Sequence, residues 1–274
     1  MVVEIKLSNF FSIMDEVVLD MRAANIQTKK SKELEENTFS YQNGRLLKTV
    51  AIYGANASGK SSIVKAIRAC VGMIINSHNH NENTVFPFAP FKFGGADKLS
   101  SFFIRFNTNG VEYEYSFQMT QTQIMKEELY YYPNGRRSKV FSRDESLGPD
   151  KKKVFDFRDA IARPMDVVAN TSQKTLFVSR ASQMGREVAQ KVFRFFYENF
   201  ILDFYNYNPV LLGRLLEANK EQLLSVLHIA DSDIVNVSSK HELKPYTTAV
   251  FDPLNNNTIL SMGDIQKTQL IITT

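Results

Sequence analysis

Apolar and polar residues alternate from Val2 to Leu7, with Val3, Ile5 and Leu7 on one side and Glu4 and Lys6 on the other. That is the period of a half-exposed strand. Asn9-Phe-Phe-Ser12 then reads as a turn and Glu16–Met21 as a second strand, so the chain is predicted to open with a hairpin. Residues 28–37 are dense in Lys and Glu and read as a solvated loop or short helix. Leu46–Tyr53 is apolar and β-branched enough for a buried strand, and Ser62–Val71 has helical spacing. The proline-broken aromatic run Phe86–Phe93 is expected to pack on a sheet as an edge segment rather than to serve as a stacking platform for bases. From Ser100 the period returns to two. Ser101–Phe106 and Val111–Phe117 flank the turn sequence Asn107-Thr-Asn-Gly110, and Ile124–Tyr132 and Ser138–Ser142 flank Pro133-Asn-Gly-Arg-Arg137. A β-meander of at least four strands over residues 98–143 follows from this pattern.

Helical spacing takes over from about Ser172 to Phe200, Pro209 suits the first turn of a helix running to Asn219, and a third helix is expected over Lys220–Ile229. Ile234–Val237, Thr247–Phe251 and Thr258–Leu260 read as strands, with Asn255-Asn-Asn257 as the last tight turn. The implied organisation is a β-rich part over residues 1–171, a helical insert over 172–233 and returning strands over 234–274.

Between the apolar run and the first helix stands Gly54-Ala-Asn-Ala-Ser-Gly-Lys-Ser61, which fits G-x-x-x-x-G-K-[ST] at every fixed position. Strand, glycine loop and helix in that order are the context in which such a loop cradles phosphate. Gly54 and Gly59 allow the tight turn, so that backbone N–H groups from Asn56, Ala57 and Ser58 through Ser62 can face phosphate oxygens at the positive end of the helix. Lys60 is expected to reach the β- and γ-phosphates, Ser61 to offer its hydroxyl to Mg²⁺ and Ser62 to touch the α-phosphate.

Composition narrows the class without adding chemistry. The 274 residues are 43% apolar and 12% aromatic, which is globular rather than disordered. Net charge is +4, from 33 basic and 29 acidic residues, which permits a basic nucleic-acid surface without arguing for one. The single cysteine, Cys70, falls in the first helix and is expected to be a small buried apolar residue, so no disulfide framework exists and a reducing cytoplasm is expected. No run is long and apolar enough to span a bilayer, and Met1–Leu7 carries charge where a signal peptide would not. His78 and His80 lie in an Asn-rich loop and would hold a metal only with ligands from elsewhere. Arg136, Arg137 and Lys151–Lys153 read as solvated basic turns.

The N-terminal strand with Asn9-Phe-Phe-Ser12, the loop Gly54–Ser62 and the Tyr/Phe/Glu-rich meander together resemble the ABC-type ATPase heads of the SMC, RecF and OLD group. They are more similar still to the AAA-type ATP-binding proteins of bacterial abortive-infection and restriction-linked operons, of the AbiL and RloA type. The resemblance implies an α/β P-loop NTPase of the ABC-ATPase type, with a mixed sheet, an antiparallel β-meander and a helical insert. It implies ATP and Mg²⁺ as cofactors, and a homodimer that sandwiches two nucleotides. Leu260-Ser-Met-Gly-Asp264 fits the signature L-S-x-G-[EQD], through which Ser261 and the backbone of Gly263 would meet the γ-phosphate held by the other subunit. The implied function is a nucleotide-gated switch in antiviral defence that controls an effector such as a nuclease. The alternatives are a scaffold that binds nucleotide without hydrolysing it and a DNA-repair ATPase that grips duplex DNA.

The chain departs from the pattern in three places. Phe11 stands where related heads carry an arginine. No run of four apolar residues leads into Asp-Glu: Asp15-Glu16 and Asp144-Glu145 lack the run, and Asp203 is followed by Phe204. Thr268–Thr274 resembles the strand leading to the switch histidine, and it stands almost against the signature-like segment. The expectation is either that a segment is omitted near residues 263–267 or that the protein is deficient in hydrolysis, Lys60 being the only catalytic group of the set that is present.

Overall fold

The alternation in the first residues is realised as β1 (Val2–Ser8), which buries Val3, Ile5 and Leu7 and pairs antiparallel with β2 (Val17–Asp20) in the register Glu4 to Asp20 and Leu7 to Val17. A computed structural model describes residues 1–24, 35–42, 44–162, 164–200, 217–222, 224–225, 236–252 and 257–273. The chain divides into two compact units, Met1–Leu202 and Asp203–Thr274.

In the first unit, β3 (Thr38–Tyr41) and β4 (Gly44–Leu47) form a separate ribbon. The meander falls where its period places it, as β5 (Ser100–Thr108), β6 (Val111–Met119), β7 (Ile124–Tyr132) and β8 (Ser138–Asp144). A short β9 (Phe155–Phe157), which the pattern does not announce, extends it. The seven strands run in the order β2-β1-β5-β6-β7-β8-β9.

Asn109 at φ 51° and Gly110 at φ 78° carry the left-handed conformations that the two-residue turn between β5 and β6 demands. A Cβ added at Gly110 would meet nothing within 4 Å. The cost of Gly110→Ala is therefore backbone conformation alone, and we expect a loss of about 1 kcal/mol in urea unfolding. A variant as stable as wild type would show that the turn tolerates a different geometry.

One face of the sheet carries the core. Phe102, Ile104 and Phe106 of β5, Tyr113, Tyr115 and Phe117 of β6, Leu129 of β7 and Phe141 of β8 are all buried. Helix α1 (Lys60–Asn76) buries Ala66, Ala69, Cys70, Met73 and Ile74, the spacing of one helix face. After the short helices α2 (Lys151–Val154) and α3 (Pro164–Ala169) come α4 (Phe177–Gln183) and α5 (Glu187–Asn199). Helix α5 buries Ala189, Val192, Phe195 and Phe196, and the Phe195 ring stacks on Phe106 with centroids 4.1 Å apart. The boundary between the compact units lies at residues 202 and 203, so the helical segment up to Asn199 is part of the unit that contains the sheet.

Three sequence expectations are corrected. The buried strand over Leu46–Tyr53 is not formed: Leu46 is buried at the end of β4, but Val50, Ile52 and Tyr53 are exposed, Tyr53 by 92%. A strand is buried only by neighbours on its edges and faces, and among the described residues none pairs with 48–53. For the same reason the expected mixed sheet is not seen, since every strand pairing among the described residues is antiparallel. In the second unit, the short strands expected after Ile234 are instead β10 (Asn236–Asp252) and β11 (Asn257–Thr273), each 17 residues long, paired from Asn236 opposite Thr273 to Asp252 opposite Asn257. Apolar runs mark only parts of these strands, and the ladder continues through intervening polar and charged residues such as Lys240, Glu242, Asp264 and Lys267.

The turn at 253–256, most of the Lys/Glu-dense stretch, and most of the helices expected over Pro209–Asn219 and Lys220–Ile229 lie outside the described residues.

Candidate functional site

The glycine loop follows the exposed stretch 48–53 beyond β4 and closes into the N-terminus of α1, a helix of 17 residues. Gly59 is its N-cap, at φ 93° and ψ 1°, in the left-handed region that admits glycine most readily. No side chain caps the helix and its first turn carries no acidic residue. The positive end of the dipole is therefore met by neither a capping side chain nor a carboxylate, which suits an external anion. Ala57 is also left-handed, at φ 63°, so the loop keeps a tight curl between its two glycines.

Within that curl Lys60 turns back on the loop. Its Nζ donates to the carbonyls of Gly54 at 2.8 Å and Ala55 at 2.6 Å, and lies 3.4 Å from Ser58 Oγ. The Ser58 amide bonds to the Ala55 carbonyl, and the amides of Ser62 and Ile63 bond to the Gly59 carbonyl. Gly54, Asn56, Ala57, Ser58, Gly59, Lys60, Ser61 and Ser62 thus lie in one curled stretch that runs into an uncapped helix end, with the Lys60 ammonium drawn back onto its first carbonyls. The donor set fits a polyphosphate: mobile ammonium, hydroxyls and backbone N–H groups, with no carboxylate in the loop to oppose it. Ser61 is the residue of the loop whose hydroxyl would face a Mg²⁺ ion. Among the described residues no group of three or more His, Cys, Asp or Glu is placed to hold a metal ion.

One neighbour of the loop escapes motif reading. Ser12, from the turn after β1, donates to Ser62 Oγ at 2.7 Å, and a Cβ at Gly59 would come within 3.3 Å of the same Ser12 oxygen.

The other sequence candidates lie elsewhere. His78 Nδ1 is 3.0 Å from Ser179 Oγ, and His80 Nδ1 is 3.0 Å from the Lys174 carbonyl, so both rings join the loop to the segment around α4. Burial and the nearby Arg180 charge push the His78 imidazole below its ordinary value, which keeps it neutral near pH 7. Cys70 is buried, and burial pushes its thiol up, in line with a core residue. Arg137 stacks over Tyr130 at 3.4 Å and pairs with Glu114 at 2.7 Å, while Lys151 pairs with Glu145 at 3.1 Å. Burial raises the Glu114 carboxyl, but hydrogen bonds from Tyr132, Arg137 and Arg105 outweigh it and hold the group below the usual range. In the aromatic run, Phe86 and Phe88 are buried, Phe88 packing 5.1 Å from Phe10 of the turn after β1, while Phe93 is exposed. Ser261 and Gly263 lie inside β11, opposite Thr248 and Tyr246. Among the described residues, no helix is long and apolar enough to cross a membrane.

Buried in the same unit is a charged pair that the motif reading misses. Glu127 of β7 and Arg143 of β8 both face the helices, fully buried, at 3.8 Å. A signal existed: each falls on the apolar phase of its strand, Glu127 in step with Leu129 and Arg143 with Phe141.

Residues 50–242 match the family described as "AAA domain, putative AbiEii toxin, Type IV TA system". No curated protein matches the chain.

Proposed function

Because the chain belongs to this AAA-domain family, we propose that it binds ATP with Mg²⁺ in the loop Gly54–Ser62 and works as a nucleotide-gated switch in bacterial antiviral defence. The observation that carries the reading is the loop itself: a complete phosphate-binding motif closing on an uncapped 17-residue helix, with Lys60 curled over its mouth. On nucleotide entry Lys60 would exchange the carbonyls of Gly54 and Ala55 for phosphate oxygens, a trade of neutral acceptors for charged ones that favours the anion. Ser61 would ligate Mg²⁺ and Ser62 would donate to the α-phosphate. Mg²⁺, when bound, supplies charge neutralisation on the phosphates.

The test is calorimetric titration of the whole chain with ATP and Mg²⁺, alongside Lys60→Ala. Saturable binding that depends on Lys60 is expected. Its absence at millimolar nucleotide would overturn the proposal.

The finer form of the reading is a dimer closed by nucleotide, with Leu260–Asp264 as the signature that meets the partner's γ-phosphate and an effector such as a nuclease under its control. Its support is the fit of Ser261 and Gly263 to the signature pattern. Ser261→Arg is then expected to leave ATP affinity unchanged while abolishing ATP-dependent self-association in sedimentation velocity. Undiminished association of that variant would remove Ser261 from the interface.

A further inference from the structure

The turn after β1 is built at a cost. Asn9 at φ 58° and Phe11 at φ 52° are both left-handed without being glycine, two such residues within three positions. Strain of this kind persists only where the surroundings over-determine it, and it tends to collect at functional sites.

Here the surroundings are explicit. The buried Asn9 side chain donates to the carbonyls of Gly95 at 2.9 Å and Lys98 at 2.8 Å, and accepts from the Phe91 amide at 2.9 Å. A Cβ on Gly95 would sit 2.2 Å from Asn9 Oδ1, so that position has room only for glycine. The Phe11 amide bonds to the Ala89 carbonyl at 2.8 Å, and Phe10 is wholly buried against Phe88. The only residue of Asn9–Ser12 left exposed is Ser12. Its hydroxyl is what the rigid turn presents to the glycine loop.

Ser12 Oγ donates to Ser62 Oγ at 2.7 Å. A serine hydroxyl has one proton to give and two lone pairs. Ser62, accepting from Ser12, keeps its own proton for a second acceptor, and a chain of two hydroxyls strengthens the outer donor. A phosphate oxygen can only accept, so the relay orients Ser62 as the donor that an anion requires.

We propose that Ser12 is a positioning residue for nucleotide, acting through Ser62 on the α-phosphate oxygen that ATP and ADP share. This rests on the nucleotide-binding reading of the loop. Because the α-phosphate is common to both nucleotides, the contribution does not depend on the γ-phosphate.

The experiment is a titration of the full chain with Mg·ATP and Mg·ADP in wild type, Ser12→Ala, Ser12→Thr, Ser62→Ala, the Ser12→Ala/Ser62→Ala double variant and Lys60→Ala, each checked for an unchanged melting temperature. Ser12→Ala is expected to weaken ATP and ADP alike by roughly three- to tenfold. Ser12→Thr, which keeps the hydroxyl, is expected to restore affinity, and the double variant to bind no more weakly than Ser62→Ala alone, since the relay has one exit. Wild-type affinity in Ser12→Ala, independent losses that multiply in the double variant, or failure of Ser12→Thr to rescue would each overturn the inference. If wild type binds in a Lys60-dependent way and Ser12→Ala is silent, the relay alone falls. If wild type itself binds neither nucleotide, the reading of the loop falls and the relay with it.

Discussion

Glu127→Ala is expected to destabilise the first unit by about 3–5 kcal/mol, because it removes the acceptor at the centre of a buried polar cluster. The Glu127 carboxylate accepts from the backbone amides of Phe177 at 2.6 Å and Val178 at 3.0 Å, and from the Tyr115 hydroxyl at 2.8 Å. Helix α4 has no capping side chain of its own at Leu176, so a residue from β7 performs that role across the core. Arg143 completes the cluster by donating to the carbonyls of Thr175 at 2.8 Å and Ser172 at 3.2 Å, and by pairing with Glu145 at 2.7 Å. Alanine would leave two amides, a phenol and part of a guanidinium charge without their acceptor, each costing on the order of 1–3 kcal/mol if nothing relaxes. The retained Glu145 partner places the total at the lower end of the simple sum. Glu127→Gln keeps one carbonyl oxygen but turns an amide donor toward the remaining donors, so an intermediate loss is expected. Urea unfolding followed by circular dichroism measures both, and a loss below about 1 kcal/mol for alanine would show that water or a shifted α4 satisfies the cluster.

Lys60→Ala is expected to weaken ATP binding by roughly ten- to a hundredfold while leaving stability nearly unchanged. The lysine meets only exposed loop carbonyls in the free protein, and water replaces it there at little cost. Facing phosphate it would make charge-assisted hydrogen bonds, worth about 1.5–3 kcal/mol, and no other cation of the loop can take its place. The appropriate control is Lys65→Ala, an exposed lysine further along α1 that lies outside the motif and is expected to leave affinity as it was. Equal ATP affinity in Lys60→Ala and wild type would falsify the assignment of the loop as the nucleotide site, whatever its stability.

These two residues mark the limits of what could be read before the fold. Lys60 was legible because four fixed positions in a short loop state their chemistry locally. Glu127 was not, because its role depends on a helix that arrives 50 residues later and on an arginine from the next strand. The charged residue on an apolar phase was visible, but its partners were not.

By itself the sequence determined what depends on near neighbours. The meander β5–β8 follows from a period of two and from turns whose Asn and Gly accept left-handed conformations, and α1 from its helical spacing after the glycine loop. Tertiary structure alone decided what depends on distant neighbours. Val50, Ile52 and Tyr53 have the composition of a buried strand and lie exposed, because burial is conferred by adjoining strands and not by the residues themselves. Ser12 comes to the loop only because Asn9 of the turn, together with Gly95 and Ala89 from far along the chain, locks that turn in a strained shape. Periodicity reports the face a residue prefers; which partner waits there is settled by long-range packing, and the polar contacts around the glycine loop belong to that second kind.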